Sequence, residues 1–295
     1  MDVTTIETKK NEKIALVVEG GGMKCAYSAG VLDGFLDYAI TFPYAIGVSA
    51  GSANLVSYLA KQQSRAARFY TKHIKEPDYF GFRSLLKTGN LFGLQYIYGT
   101  LTNSDGDDPL DYETMMASDT DFHIVATDSK TGKPVYFQKK QLQKDNYLEI
   151  MASCAIPVVS RPVKINGRRY FDGGLSDALP IKKAWEEGCS KAVVISSKTR
   201  DYIKPAQKFS KLYKAVVRKY PKVVETIERR HIMYWQQQEY MYKMEKQGRV
   251  FVFNPSRSLK MSTYDMNPEE NQALYQLGVE DFQRNKEALL AFMGK

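Results

Sequence analysis

Ser49 has the setting of a nucleophile. It stands in Gly47-Val48-Ser49-Ala50-Gly51, a G-x-S-x-G pattern. That pattern puts a serine on a sharp strand-to-helix turn and aims the next backbone N–H, here that of Ala50, at the reacting centre. The plainer reading of the same residues is an ordinary turn with Ser49 as a helix N-cap. A serine nucleophile needs a base, and the chain offers three histidines, His73, His123 and His231. His73 lies in Lys72-His73-Ile74-Lys75 and reads as a surface residue. His123 begins a strand and reads as a core or edge histidine. Only His231 suits a Ser…Asp…His order, but hydrolases of that order carry the serine after more strands than precede it here. Asp172 competes for the role. It ends a strand and precedes Gly173-Gly174, which let a carboxylate sit against another backbone. Burial there would raise its pKa toward the range in which it can take the serine proton. By itself, an Asp before Gly is better read as an Asx turn.

A second special turn, Gly20-Gly21-Gly22-Met23-Lys24-Cys25, also follows a strand and opens a helix. It admits three readings. A dinucleotide loop would need glycine where Cys25 stands and an acidic residue at the end of the second strand, where Gly47 and Ser49 stand. A tight turn without a site needs nothing more. An oxyanion hole would use consecutive glycine N–H groups, unobstructed by side chains, beside Ser49.

These turns must be held by a sheet. Lys13–Glu19 is a near-continuous apolar run, the pattern of a buried parallel strand. Helical spacing follows over 23–39, then a strand at 44–48 and a helix from 52. The first 60 residues therefore predict β-turn-α-β-turn-α, the unit of a parallel α/β sheet. Strands are also predicted at 122–127, 135–138, 191–196 and 250–253, and a hairpin at 163–171 around Asn166-Gly167. A terminal helix is predicted over 269–292. Residues 76–101 give no firm pattern.

The whole chain has 295 residues, 43% of them apolar, enough for one large α/β core. We expect a polar arm at 1–12 and a single domain at 13–295, with a basic helical insertion at about 204–247. Three cysteines argue against a disulfide framework, and the histidines lack metal-ligand spacing, so no metal is expected. The polar N-terminus and the absence of a long apolar run predict a cytoplasmic protein. The net charge is +9, and eleven Lys/Arg against four Asp/Glu fall between Lys204 and Lys246. There Phe209, Leu212, Tyr213, Val216, Val217 and Tyr220 make an apolar stripe. Its basic face is either a solvated surface or a contact for anionic membrane, which would make the protein peripheral. No nucleic-acid recognition motif accompanies the charge, so no nucleic acid partner is expected.

Together the pieces resemble the patatin-like phospholipase family. The order is Gly20-Gly21-Gly22-Met23-Lys24, then Gly47-Val48-Ser49-Ala50-Gly51, then Ala152-Ser153-Cys154-Ala155-Ile156-Pro157, then Asp172-Gly173-Gly174 and Leu179-Pro180. The resemblance implies a three-layer α/β fold with a mainly parallel sheet and a Ser–Asp dyad without histidine. Ser49 would be the nucleophile, Asp172 the base and the turn from Gly20 to Lys24 the oxyanion hole, with no cofactor. The implied substrate is a phospholipid, lysophospholipid or other lipid ester. Lys24 stands where the family often has arginine and Cys25 where glycine is frequent. The runner-up is a non-catalytic lipid-binding or scaffold protein on the same fold. Head group, chain length and oligomeric state are not legible.

Overall fold

The computed structural model describes residues 12–206, 210–258, 264 and 266–294, with only the backbone at 210–212. Lys208 and Phe209 of the basic segment and most of the N-terminal arm lie outside the described residues.

Eight strands form one sheet: β1 (Ile14–Val18), β2 (Tyr44–Val48), β3 (Asp121–Asp128), β4 (Pro134–Gln138), β5 (Val163–Ile165), β6 (Arg168–Asp172), β7 (Lys191–Ile195) and β8 (Val250–Phe253). Their order is β5-β6-β3-β2-β1-β7-β8, with β4 also paired to β3. The five strands from β3 to β8 along this order run parallel; β4 and β6 lie antiparallel to β3, and β5 to β6. The helices are α1 (Ala26–Asp37), α2 (Ala50–Leu59), α3 (Arg65–Thr71), α4 (Phe82–Thr88), α5 (Leu94–Tyr96), α6 (Tyr112–Ala117), α7 (Leu148–Ser153), α8 (Ile181–Glu186), α9 (Ser210–Val216), α10 (Pro221–Lys246) and α11 (Pro268–Met293).

The central strands read as apolar runs because both faces are covered. In β1, Ile14, Leu16 and Val18 point into a core shared with Phe35 of α1, Leu55 of α2 and Leu277 and Phe282 of α11. Ala15 and Val17 point the other way, onto Ile181 and Ala184 of α8 and Tyr234, Met241 and Met244 of α10. This period-two alternation defines three layers, helix on sheet on helix. The basic segment thus supplies much of the second helical layer. Of the predicted stripe, Tyr213, Val217 and Tyr220 pack with Phe171, Leu175, Val223 and Ile227, while Val216 is exposed.

Candidate active site

One strand, β3, positions both Ser49 and Asp172. Parallel pairing sets Val48 opposite Val125 of β3, and antiparallel pairing sets Asp172 opposite Ala126, the next residue. Ser49 follows Val48 with φ 53° and ψ −131° and makes no side-chain cap bond to α2. A β-carbon residue at such a positive φ is strained, and strain of this kind persists only when its surroundings over-determine it. Here they do. The Ser49 N–H donates to Ser153 Oγ at 2.8 Å, which in turn donates to the Val125 carbonyl at 2.6 Å. The Ser49 carbonyl accepts from the Ser52 N–H and from Ser52 Oγ, at 2.9 and 2.6 Å. Two glycines permit the close approach of β1. A Cβ on Gly20 would lie 2.9 Å from the Ser49 Cβ, and one on Gly51 would lie 2.5 Å from the Val18 carbonyl oxygen. Ser49 does occupy the N-cap position of α2, but its hydroxyl makes no capping bond.

Asp172 is 3% exposed. Its N–H donates to the Ala155 carbonyl at 2.9 Å and its own carbonyl accepts from Thr127 Oγ1 at 2.7 Å. One carboxylate oxygen accepts from the Gly174 N–H at 2.8 Å, so the Asx-type turn is present as well. Burial raises its pKa; Arg230, the Ser49 hydroxyl as a hydrogen-bond partner, the Gly174 N–H and Lys204 act the other way. The Arg230 guanidinium fastens the turn by donating from Nε to the Gly174 carbonyl at 2.7 Å.

The glycine turn stands beside both. Gly20, Gly21 and Gly22 line the same cavity as Ser49 and Asp172. Among the described residues, the N–H groups of Gly21, Gly22 and Ala50 donate to no protein acceptor. The Lys24 N–H is taken by the Gly21 carbonyl at 3.3 Å, and its side chain lines a separate pocket with Ser197 and Arg257. The Met23 side chain turns toward the apolar cavity. Cys25 fits without opening the turn: it is fully buried, with its Sγ 3.5 Å from the Glu19 carbonyl.

Ser49 sits where two cavities meet. One, of about 770 Å³ with its mouth, is walled by side chains such as Phe69, Tyr79, Phe92, Leu94 and Ile97. The other, of about 870 Å³, holds Asp172, Lys198, Lys204, Arg230, Tyr202 and Tyr234. Gly22, Ser49 and Ile156 line both.

The histidines are elsewhere. His73 is not a surface residue: it is 1% exposed, and its Nε2 lies 3.0 Å from Asp108, which also holds Arg68 and Arg65. The charged neighbours in sequence misled because the tight turn His73–Lys75 after α3 places the ring inward against Phe69. His123 is buried against Tyr44 at the far end of the sheet. There Asp121, His123 and Glu187 bring donor atoms within 4.8 Å of one another, with Lys183 already 2.6 Å from Glu187. His231 does not line the Ser49 cavity; its neighbour Arg230 does. Sequence reasoning missed Ser153, Lys198, Lys204 and Arg230. For Ser153 the small-residue segment was a signal; for the three cations nothing local distinguished them from other basic residues.

The patatin-like phospholipase family model matches residues 16–185, over half of the chain, and the protein belongs to that family. A domain of unknown function (DUF6363) matches residues 220–294. The uncharacterized protein YjjU of Escherichia coli is 28% identical over 254 residues, covering 84% of this chain and 70% of that one. An uncharacterized NTE family protein of Mycobacterium bovis is 43% identical over 60 residues, covering 20% of this chain and 16% of its own. Among solved structures, VipD from Legionella pneumophila aligns with a TM-score of 0.47 at 11% identity, over 94% of this chain and 67% of that one.

Proposed function

We propose that the protein is a serine acyl hydrolase that cleaves carboxylic esters of phospholipids or lysophospholipids through Ser49 and Asp172. The observation that carries this reading is the position of Ser49 at the junction of an apolar cavity and a polar one, beside a buried carboxylate. The acyl chain enters the apolar cavity. Asp172 takes the Ser49 hydroxyl proton as Oγ attacks the ester carbonyl carbon. The carbonyl oxygen becomes an oxyanion, and the N–H groups of Gly21, Gly22 and Ala50, already free of partners, stabilise it as charge develops. Collapse breaks the bond to the alcohol oxygen, which leaves with the proton from Asp172. Water then gives a proton to Asp172 and attacks the acyl-enzyme, and a second collapse returns that proton to Ser49 Oγ. Lys24 contributes no group to this scheme.

The reading takes 13–295 as one catalytic domain, because α10 and α11 cover opposite faces of one sheet. It also places the protein at a membrane surface. Phe82 and Leu86 of α4 are each 72% exposed. Helix α4 hangs from the bridge between Phe80 and Phe92, and Phe92 lines the apolar cavity. Among the described residues no helix is long and apolar enough to cross a membrane. The experiment is fatty-acid release from lysophospholipid by the purified protein. Release that disappears in Ser49→Ala supports the reading; release that persists in that variant refutes it.

A further inference from the structure

The polar cavity is lined by three basic side chains, Lys198, Lys204 and Arg230, and two carboxylates, Glu19 and Asp172. Lys198 and Arg230 flank the reaction centre from two sides: a Cβ on Gly21 would sit 3.2 Å from Lys198 Nζ, and one on Gly174 would sit 3.4 Å from Arg230 Nη2. Lys204 joins them, its Nζ 5.0 Å from the Tyr234 ring centroid. Among the described residues none of the three makes a salt bridge; Lys198 Nζ donates to Ser197 Oγ at 2.8 Å and Arg230 Nε to a carbonyl. The two carboxylates of the cavity are committed to other partners. Glu19 accepts from Ser196 Oγ, the Ser197 N–H and the Tyr234 hydroxyl at 2.6, 2.9 and 2.9 Å. Asp172 faces Ser49 and Gly174. Three basic side chains converge on this cavity against two carboxylates that are hydrogen-bonded to other groups, which leaves a net positive lining suited to an anion.

We propose that Lys198, Lys204 and Arg230 form a binding site for a phosphate group on the alcohol side of the substrate, so that preferred esters carry an anionic phosphate head close to the scissile bond. This rests on the esterase reading above, because it assigns the apolar cavity to the acyl chain and the polar one to the head. Phosphate oxygens suit the set: the guanidinium offers a two-pronged donor and the ammonium groups point charges. Lys204 responds to the charge around it. Burial, Arg230 and Lys198 push it down to about 7, against Glu19 and Asp172. A phosphate placed beside it would raise that value again. Arg230 also ties the head site to the base, since the same guanidinium holds the Gly174 carbonyl.

The test is binding of uncleavable ether lipids to Ser49→Ala protein, measured by calorimetry. Three probes are compared: an ether-linked lysophosphatidic acid, the same ether glycerol without phosphate, and inorganic phosphate. The lipid phosphate is expected to bind at least about tenfold more tightly than either of the others, with Lys204→Gln losing about tenfold of that preference and Lys204→Arg keeping most of it. Equal affinity of the two ether lipids, or a preference that survives both Lys204→Gln and Lys198→Gln, would overturn the proposal. Inorganic phosphate binding as tightly as the lipid phosphate would also overturn it, making this a free-phosphate site. Hydrolysis by wild type is read separately. A phosphate preference in binding with no ester cleaved would refute the esterase reading and leave the anion site standing.

Discussion

Ser49 and Asp172 are positioned by consecutive residues of one strand. Val48, just before the serine, pairs with Val125, and Asp172 pairs with Ala126. The serine arrives on a parallel strand and the carboxylate on an antiparallel one, so two chain segments more than a hundred residues apart end at the same edge of β3. Ser153 joins the two arrangements by accepting from Ser49 and donating to Val125.

Asp172→Asn keeps the shape of the turn and removes the proton acceptor. Turnover is expected to fall on the order of 10⁴, the loss seen when geometry survives without the correct proton relay, while His231→Ala stays within a few-fold. The pH profile checks the same group. The folded pKa of Asp172 is raised by burial, so the carboxylate, and with it activity, is lost as pH falls through that raised value. For stability the sign is opposite: the folded state holds its proton more tightly than the unfolded chain, so stability declines as pH rises from the ordinary value of 3.8 through the raised one. At pH 7 Asp172→Asn is therefore expected to melt no lower than wild type. A lower melting temperature together with retained activity would contradict both assignments.

Ser153→Ala leaves the Ser49 N–H and the Val125 carbonyl without their partner. Each such loss costs about 1–3 kcal/mol, and chemical denaturation should register it. If Ser153 positions the nucleophile, kcat falls while KM for a soluble ester holds. An unchanged kcat at reduced stability would make Ser153 a purely structural link.

Asp108 anchors α3 by binding Arg68 at 2.5 Å, His73 at 3.0 Å and Arg65 at 3.4 Å. Burial opposes its ionised form, but the bonds from Arg68 and His73 and the charge of Arg65 outweigh it and hold the carboxyl well below the usual range. Its stabilisation is present above about pH 3.8 and is lost as pH falls below that. Asp108→Asn strands the buried Arg65 and should cost about 3–5 kcal/mol. Acid unfolding followed by circular dichroism distinguishes the variant, whose stability should change less than that of wild type below pH 4.

The proposed membrane contact would have two separable sources. Replacing Phe82 and Leu86 by serine removes apolar area and should weaken vesicle binding by about tenfold or more, independent of salt. Reversing charge at Lys208, Lys211, Lys214 and Arg218 should weaken binding to anionic vesicles only, and less so as salt screens the attraction. Vesicle sedimentation that neither set of changes affects would remove the membrane from the account.

The sheet, its strand positions and the three glycine-bearing turns were legible in the sequence, because buried parallel strands are apolar runs and sharp turns need glycine. What stayed hidden depended on distant contacts. His73 reads as exposed beside Lys72 and Lys75, and only the packing of α3 buries it on Asp108. Helix α4 falls in 76–101, which has no firm pattern, because it is a short element that leaves Phe82 and Leu86 in solvent and buries only Ser84, so no apolar face imprints a period. Lys204 and Arg230 were counted only as members of a charge surplus. Their convergence on Asp172 requires α10, which carries Arg230, to pack on the sheet and the separate segment carrying Lys204 to line the same cavity, which no local spacing encodes.

Ser49 is proposed as the activated nucleophile. Labelling with a fluorophosphonate probe, followed by mass spectrometry of the modified peptide, tests it most directly. The account predicts one adduct, on Ser49, formed by wild type, absent from Ser49→Ala and strongly slowed in Asp172→Asn. Equal labelling of wild type and Ser49→Ala, or an adduct on another residue, would contradict it.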